Sequence, residues 1–414
     1  MHMSPDSSDY KKLEGDEKLL LKTLWGRLEP SGWPFSLNDL PDKTVLVGGA
    51  IRDGLLGRLH DEYDLDFVVP SGAMQIARNL VLKYGGTFVE LDPQRDMARW
   101  VICGWTIDIT SQLGLTLEKD LLRRDFTLNA IALTLGESPR ILDPADGLKD
   151  LRDKTLKAIS QQNLIDDPLR LLRALRFKAQ FNFLIDHQTI SWIKLHRVLL
   201  EKVAPERIQT EITKLLSAPG ADKVIPLIRQ YGLLNLWIQE EQSVDKSSEN
   251  LSNAKNFTKE ELSSALFFSR LTSLLSDKGL EYLRFSRYQR NICKSLRKWK
   301  NHYDGIDYKS LDELDRLILH KELESHLPAI ILEISESSQI DWLQRWRDPQ
   351  DPLFHPSSPV DGNTLQEVFG LSPGPVIGRL LEYLSQEKAF GRLLNQQQAF
   401  KAARSWLLRN EASL

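Results

Sequence analysis

The sequence predicts an α+β protein, a mixed-sheet head followed by an all-α neck, body and tail. Short apolar stretches that alternate with polar residues recur at 44–47, 65–69, 87–91, 99–103, 106–110 and 131–134, the period-2 pattern of strands. From Asp167 onward the apolar residues recur every three or four positions, and the pattern stays helical. Two polar segments interrupt the helical part: 239–255, rich in Ser, Asn and Glu, and 347–364, which holds four prolines. These bounds divide the 414 residues into a head over 1–159, a neck over 160–238, a body over 239–346 and a tail over 347–414.

Taken in order, an opening helix over 17–28 leads to the strand 44–47, whose end carries Gly48-Gly49 before a helix-like stretch over 50–59. A glycine pair between strand and helix lets backbone N–H groups approach phosphate oxygens with no side chain in the way. The next strand alternates Asp64 and Asp66 with Leu65 and Phe67. Residues two apart on a strand point to one face, so the two carboxylates converge while Leu65 and Phe67 enter the core. Convergent carboxylates repel unless a cation sits between them. Their hard oxygens suit Mg²⁺, which clamps the attacking and leaving oxygens of a phosphoryl transfer. A third acid, Asp108, lies in the alternating segment 105–110, which can lie beside that strand.

The run Arg123-Arg124-Asp125-Phe126-Thr127-Leu128-Asn129 follows, two guanidiniums with an Asp and an Asn, chemistry suited to a triphosphate and a ribose. An internal Arg–Asp pair that locks the fold is the other reading of Asp125 and Asn129. Further on, Asp167, Arg170 and Arg173 fall at i, i+3 and i+6, on one flank of a helix whose other flank carries Leu171, Leu172 and Leu175. Pro168 suits the first turn of such a helix.

In this order the motifs GGAIRD (49 is its second Gly), DLD, RRDFTLNA, DDPLRLLRALRF and PERIQTEITKLL (205–216) resemble the class II tRNA nucleotidyltransferases and the bacterial poly(A) polymerases, which share a head. The match is dense from about residue 40 to 236. The resemblance implies a nucleotidyltransferase head in which Asp64 and Asp66 hold two Mg²⁺ ions and Asp108 helps to deprotonate the 3′-hydroxyl of a tRNA primer. It implies that Gly48, Gly49, Arg52 and Arg124 position the triphosphate, that Asp125 and Asn129 orient the sugar or lock the arginines, and that Asp167, Arg170, Arg173 and Arg176 belong to the nucleotide site. A carboxylate only accepts and a guanidinium only donates, so an Asp167–Arg170 pair matches the amino group and ring nitrogen of cytosine or adenine and rejects uracil and guanine. The family usually carries Glu where this chain has Asp166. Members that complete a CCA end also carry a longer flexible loop before the Arg-Arg-Asp motif, where this chain has only Ser111-Gln112-Leu113-Gly114-Leu115. The resemblance therefore implies an enzyme that adds two C residues from CTP and leaves ATP to a separate A-adding enzyme. A complete CCA-adding or A-adding enzyme, a poly(A) polymerase and a non-catalytic RNA-binding protein are the alternatives.

Other features bound the reading. Two distant cysteines, Cys103 and Cys293, indicate neither a disulfide framework nor a zinc site and suggest the reducing cytoplasm. No apolar run is long enough for a membrane, and the first 18 residues lack a signal-peptide core. The net charge of -3 means that contact with RNA depends on local patches. One such patch is the series Arg284, Arg287, Arg290, Lys294 and Arg297, interleaved with Phe285, Tyr288 and Trp299, which reads either as a solvated helix face or as an RNA phosphate contact. His302, His320, His326 and His355 are isolated and form no phosphohydrolase pattern.

Overall fold

The computed structural model describes residues 17–59, 64–136, 138–238, 255–302 and 311–410. The chain divides into two compact units, one holding residues up to 204 with 226–233, the other 205–225 with the residues from 234 onward. Of the linker expected at 239–255, all but Lys255 lies outside the described residues.

The first unit is built on a seven-stranded sheet. Its strands are β1 (Val45–Val47), β2 (Asp64–Val69), β3 (Thr87–Asp92), β4 (Met97–Ile102), β5 (Trp105–Ser111), β6 (Ala132–Thr134) and β7 (Ile141–Leu142). They lie side by side in the order β3-β4-β5-β2-β1-β6-β7. Only β2 and β5 run parallel; the other neighbours are antiparallel. Each of the six expected strands is present within two residues of its expected ends, and the two-residue β7 was too short to leave a periodicity. Alternation on β2 works as expected: Leu65 and Phe67 are buried, and Phe67 packs edge-on against Trp33 and Phe35. A second, two-stranded parallel sheet of β8 (Thr155–Leu156) and β9 (Leu184–Ile185) ties the end of the head to the residues after helix Leu169–Phe181. No sequence signal announced it.

Helix Leu169–Phe181 buries Leu171, Leu172, Ala174 and Leu175, the apolar flank expected of it. It begins later than expected, however. Asp167 has an extended backbone (φ -136°, ψ 91°) and closes the preceding helix Gln161–Asp166. Asp167 therefore occupies a corner between two helices rather than a helix flank. The cause is Pro168, whose ring disfavours helical geometry in the residue before it.

The second unit is helical among the described residues. Helix Pro205–Leu216 has the bounds of the fifth motif. Helix Lys259–Leu274 starts in a capping box, Thr258 and Glu261 satisfying each other's backbone N–H groups. Arg270 on that helix donates to Asp222 Oδ1 (2.8 Å) and to the Leu216 carbonyl (2.7 Å), an ion pair largely withdrawn from solvent. At the C-terminal end, Leu365, Leu380, Leu384, Ala399 and Ala403 form a core shared by helices Gly362–Phe369, Pro375–Ala389 and Gln396–Asn410. No helix among the described residues is long and apolar enough to cross a membrane.

His320 is fully buried against the Phe354 ring, 4.2 Å between centroids, and against Trp342. Neither ring nitrogen has a hydrogen-bond partner among the described residues. Burial pulls its pKa down to about 3, with Arg316 and Arg345 acting in the same direction. The unfolded chain thus takes up a proton near pH 6.5 that the folded chain refuses, so this residue costs stability as pH falls below 6.5 and down toward 3. Between pH 7 and pH 5 it should contribute a loss of about 2 kcal/mol. Urea unfolding of the wild type and His320→Phe at the two pH values checks this; an equal pH response in both would contradict it.

Candidate active site

The sheet register assembles the acids. On the parallel pair β2 and β5, Asp66 stands directly opposite Asp108, and Asp64 opposite Thr106. Asp66 is also the register partner of Val47, the last residue of β1. The turn that follows β1 therefore begins beside the Asp66 carboxylate. Gly48 there has φ 75° and ψ -131°, a conformation L side chains rarely adopt. A Cβ at Gly48 would lie 3.0 Å from Asp66 Oδ2 and 3.4 Å from Arg124 Nη1. An acid and a base thus flank the bare backbone of the turn, at the start of helix Gly49–Leu55.

Burial pushes the Asp66 carboxyl above its ordinary pKa, and the neighbouring charges of Asp108 and Asp64 add to that, against the Arg124 guanidinium and a hydrogen bond from the Gly49 N–H. Arg124 Nε is buried and has no hydrogen-bond partner among the described residues. A half-buried carboxylate crowded by two others, and a buried guanidinium nitrogen without an acceptor among the described residues, are incomplete without a cation and an anion respectively.

Asp108 is differently placed. Arg99, its neighbour in register on β4, grips it in bidentate fashion, Nε to Oδ1 at 2.7 Å and Nη2 to Oδ2 at 2.9 Å. Sequence reading missed Arg99, although its odd-numbered alternation on a strand beside Asp108 was a usable signal.

The arginine expected to meet the triphosphate at position 52 is turned inward. Arg52 is 7% exposed, donates to both carboxylate oxygens of Asp53 (2.9 and 2.7 Å) and to Asn129 Oδ1 (2.7 Å), and lies over the Phe177 and Phe181 rings. Asn129 in turn donates to Asp125 Oδ1 at 2.9 Å, and Asp125 Oδ2 accepts from Arg173 Nε at 2.9 Å. Asp53, Arg52, Asn129, Asp125 and Arg173 so form one chain of hydrogen bonds from helix Gly49–Leu55 to helix Leu169–Phe181. Asp125 and Asn129 hold arginines. Burial opposes ionisation of Asp125, but the Arg173 charge and bonds from Asn129, Arg173 and the Phe126 N–H keep its carboxyl below the ordinary range.

Around the corner residue Asp167, the Arg170 Nε lies 3.9 Å from Asp167 Oδ2. Arg170 Nη1 donates to the carbonyls of Arg123 (2.8 Å) and Asn163 (3.1 Å). Asp166 is exposed and accepts from Gln162 instead of bracing Arg170. The Arg176 guanidinium stacks over the Phe177 ring, 4.2 Å from its centroid.

The basic series in the second unit serves several tasks. Arg284 pairs with Glu206 and Arg290 with Glu281, while Arg297 turns inward to the Thr272 and Leu275 carbonyls and to Asp277. Arg287 and Lys294 are exposed on helix Arg287–His302. Periodicity suggested one helix face for all five, but Arg284 precedes the helix with a left-handed backbone (φ 59°), and the spacing could not reveal which of them the protein itself uses.

Residues 44–157 match the family model of the poly A polymerase head domain, and 182–242 match a model described as a probable RNA and SrmB- binding site of polymerase A. The CC-adding tRNA nucleotidyltransferase of Synechocystis sp. is 31% identical over 397 residues, covering 89% of this chain and 95% of the relative. The chain belongs to the tRNA nucleotidyltransferase and poly(A) polymerase family. It is a nucleotidyltransferase of the CCA- or CC-adding type. A CCA-adding enzyme of Streptococcus pyogenes is 29% identical over 379 residues, covering 85% of this chain and 90% of that enzyme. The crystal structure of the Bacillus stearothermophilus CCA-adding enzyme in complex with CTP shares the fold, with a TM-score of 0.67 at 20% identity over 96% of this chain and 100% of that one.

Proposed function

We propose that this nucleotidyltransferase adds two C residues from CTP to the 3′ end of tRNA, releases pyrophosphate and stops. The observation that carries the chemistry is the Gly48 turn set between Asp66 and Arg124. Arg124 and the bare backbone of that turn, where no side chain stands in the way, receive the triphosphate, while Asp64 and Asp66 offer the hard oxygens that Mg²⁺ takes. Among the described residues no group of three or more acidic, His or Cys side chains could hold a metal ion. Mg²⁺ does not require one, since it is bound through one or two carboxylates, with water and substrate phosphates completing its shell. Bound there, it would neutralise the developing charge on the transferring phosphoryl group. Asp108 and the exposed cations Arg287 and Lys294 would meet the tRNA primer and its phosphates.

What supports stopping after two C residues is the connection from β5 to helix Leu117–Leu121. It is short and fixed: the Gln112 N–H donates to the Val69 carbonyl at 2.8 Å, the Leu113 N–H to Asp120 Oδ1 at 2.9 Å, and Thr116 caps the helix that follows. A segment held at both ends has little slack with which to reshape a base pocket from C to A. The test is a tRNA truncated at its discriminator base, incubated with each labelled NTP in turn. Two C residues from CTP are expected, with no A added even when ATP is abundant. Efficient labelling by ATP of a tRNA already ending in CC would overturn the CC-adding reading in favour of a CCA- or A-adding one.

A further inference from the structure

Three consecutive backbone carbonyls, those of Leu122, Arg123 and Arg124, are all held by residues 39 to 47 positions later in the chain. Asn163 Nδ2 donates to the Leu122 carbonyl at 2.8 Å and to the Arg124 carbonyl at 2.7 Å. The carbonyl between them takes Arg170 Nη1 at 2.8 Å, and that same nitrogen reaches the backbone carbonyl of Asn163 at 3.1 Å. Asn163 is 8% exposed, and its own N–H is fixed by Ser160 Oγ at 3.1 Å. Both bonds of its amide go to carbonyl oxygens, so the donor nitrogen is assigned by its partners.

We propose that Asn163 is a positioning residue for base selection: by grasping the carbonyls of Leu122 and Arg124 it sets Arg170 at a fixed distance from the triphosphate arginine Arg124. The inference rests on the functional reading above and deepens it. The carboxylate hold on Arg170 is long: its ion pair with Asp167 spans 3.9 Å, and Asp166 faces solvent and bonds to Gln162. The short hydrogen bonds of its guanidinium go to the Arg123 and Asn163 carbonyls, and those carbonyls stay in place through Asn163. A nucleotide anchored at its phosphates by Arg124 then presents its base edge at a depth the Asn163 amide defines. Loosening that link would let Arg170 shift by the fraction of an ångström that separates a matched amino group from a mismatched carbonyl.

The experiment compares CTP and UTP incorporation into truncated tRNA by the wild type, Asn163→Ala and Asn163→Asp, with thermal unfolding of each. Aspartate keeps the shape but cannot donate, and it faces two acceptors. Both variants are expected to lose about tenfold or more of the CTP over UTP ratio, mainly through a raised KM for CTP, with kcat for CTP reduced by about threefold or less. Asn163→Ser, which keeps one donor, should lose an intermediate amount, and it takes the place of a variant that does not fold. A folded variant with the wild-type ratio overturns the proposal and leaves Asn163 a purely structural residue. The CTP preference of the wild type reads the proposed function, whereas the variant-to-wild-type ratio reads Asn163, so the two can fail separately.

Discussion

Replacing Asp66 by alanine or asparagine is expected to reduce nucleotide incorporation by about a thousandfold or more while leaving the folded state as stable as before, or more so. The two halves of that expectation share one cause. Asp66 is half-buried opposite Asp108 and shares a strand face with Asp64, and burial and like charge together raise its pKa. A carboxylate kept ionised there costs the empty protein stability, so removing its charge relieves repulsion. The same ionised carboxylate is what a cation and a triphosphate need, and losing such a ligand forfeits several kcal/mol of transition-state stabilisation, at about 1.4 kcal/mol per tenfold in rate. Asp64→Ala should show a similar loss of turnover, since both carboxylates serve one cation. Single-turnover CTP incorporation, thermal unfolding and tRNA binding measured on the same preparations check this. Near-normal turnover, or a loss explained entirely by unfolding or by lost tRNA binding, would remove Asp66 from the chemistry.

The parts of this site that the sequence made legible are those governed by short-range geometry. Alternation placed Asp64 and Asp66 on one face of β2, with Phe67 buried among Trp33 and Phe35. The glycine pair marked the turn, and the positive φ of Gly48 supplies the reason that position cannot carry a side chain. What remained hidden was decided by pairing across long stretches of chain. Arg52 and Asn129 lie 77 residues apart, and nothing local distinguishes an arginine that meets phosphate from one that donates inward to Asn129 and stacks on two phenylalanines. Asn163, some forty residues from the carbonyls it holds, escaped for the same reason, whereas Arg99 lies only nine residues from Asp108 and was missed because it belongs to no motif. Asp167 is the instructive exception. Its departure from the helix was readable from Pro168 alone, yet the i, i+3, i+6 spacing of Asp167, Arg170 and Arg173 is so regular that helical periodicity overshadowed the proline rule.

The network centred on Asp125 makes the second large prediction, this time for stability. Asp125 is 5% exposed and accepts from Arg173, from Asn129 and from the Phe126 N–H, and Asn129 in turn receives Arg52. Asp125→Ala would leave a partly buried guanidinium, an amide and a backbone donor without their acceptor, the situation in which breaking a buried ion pair costs about 3–5 kcal/mol. Asp125→Asn keeps the shape and one acceptor oxygen but not the charge, and should lose part of that amount. The pH response follows from the direction of the shift. The folded-state pKa lies below the ordinary aspartate value, so the stability this group contributes is present above about 3.8 and is lost as pH falls through the folded-state value. Wild-type protein should therefore lose stability in strong acid through Asp125, in a range below the one governed by the neutral burial of His320, with a smaller loss there in Asp125→Ala. Urea unfolding at neutral pH and near pH 3 distinguishes the cases. If Asp125→Ala unfolds at the same urea concentration as wild type, the chain from Asp53 to Arg173 is an incidental set of contacts, and the arrangement of Arg173 beside the nucleotide site must be maintained by the packing of Phe177 and Phe181 alone.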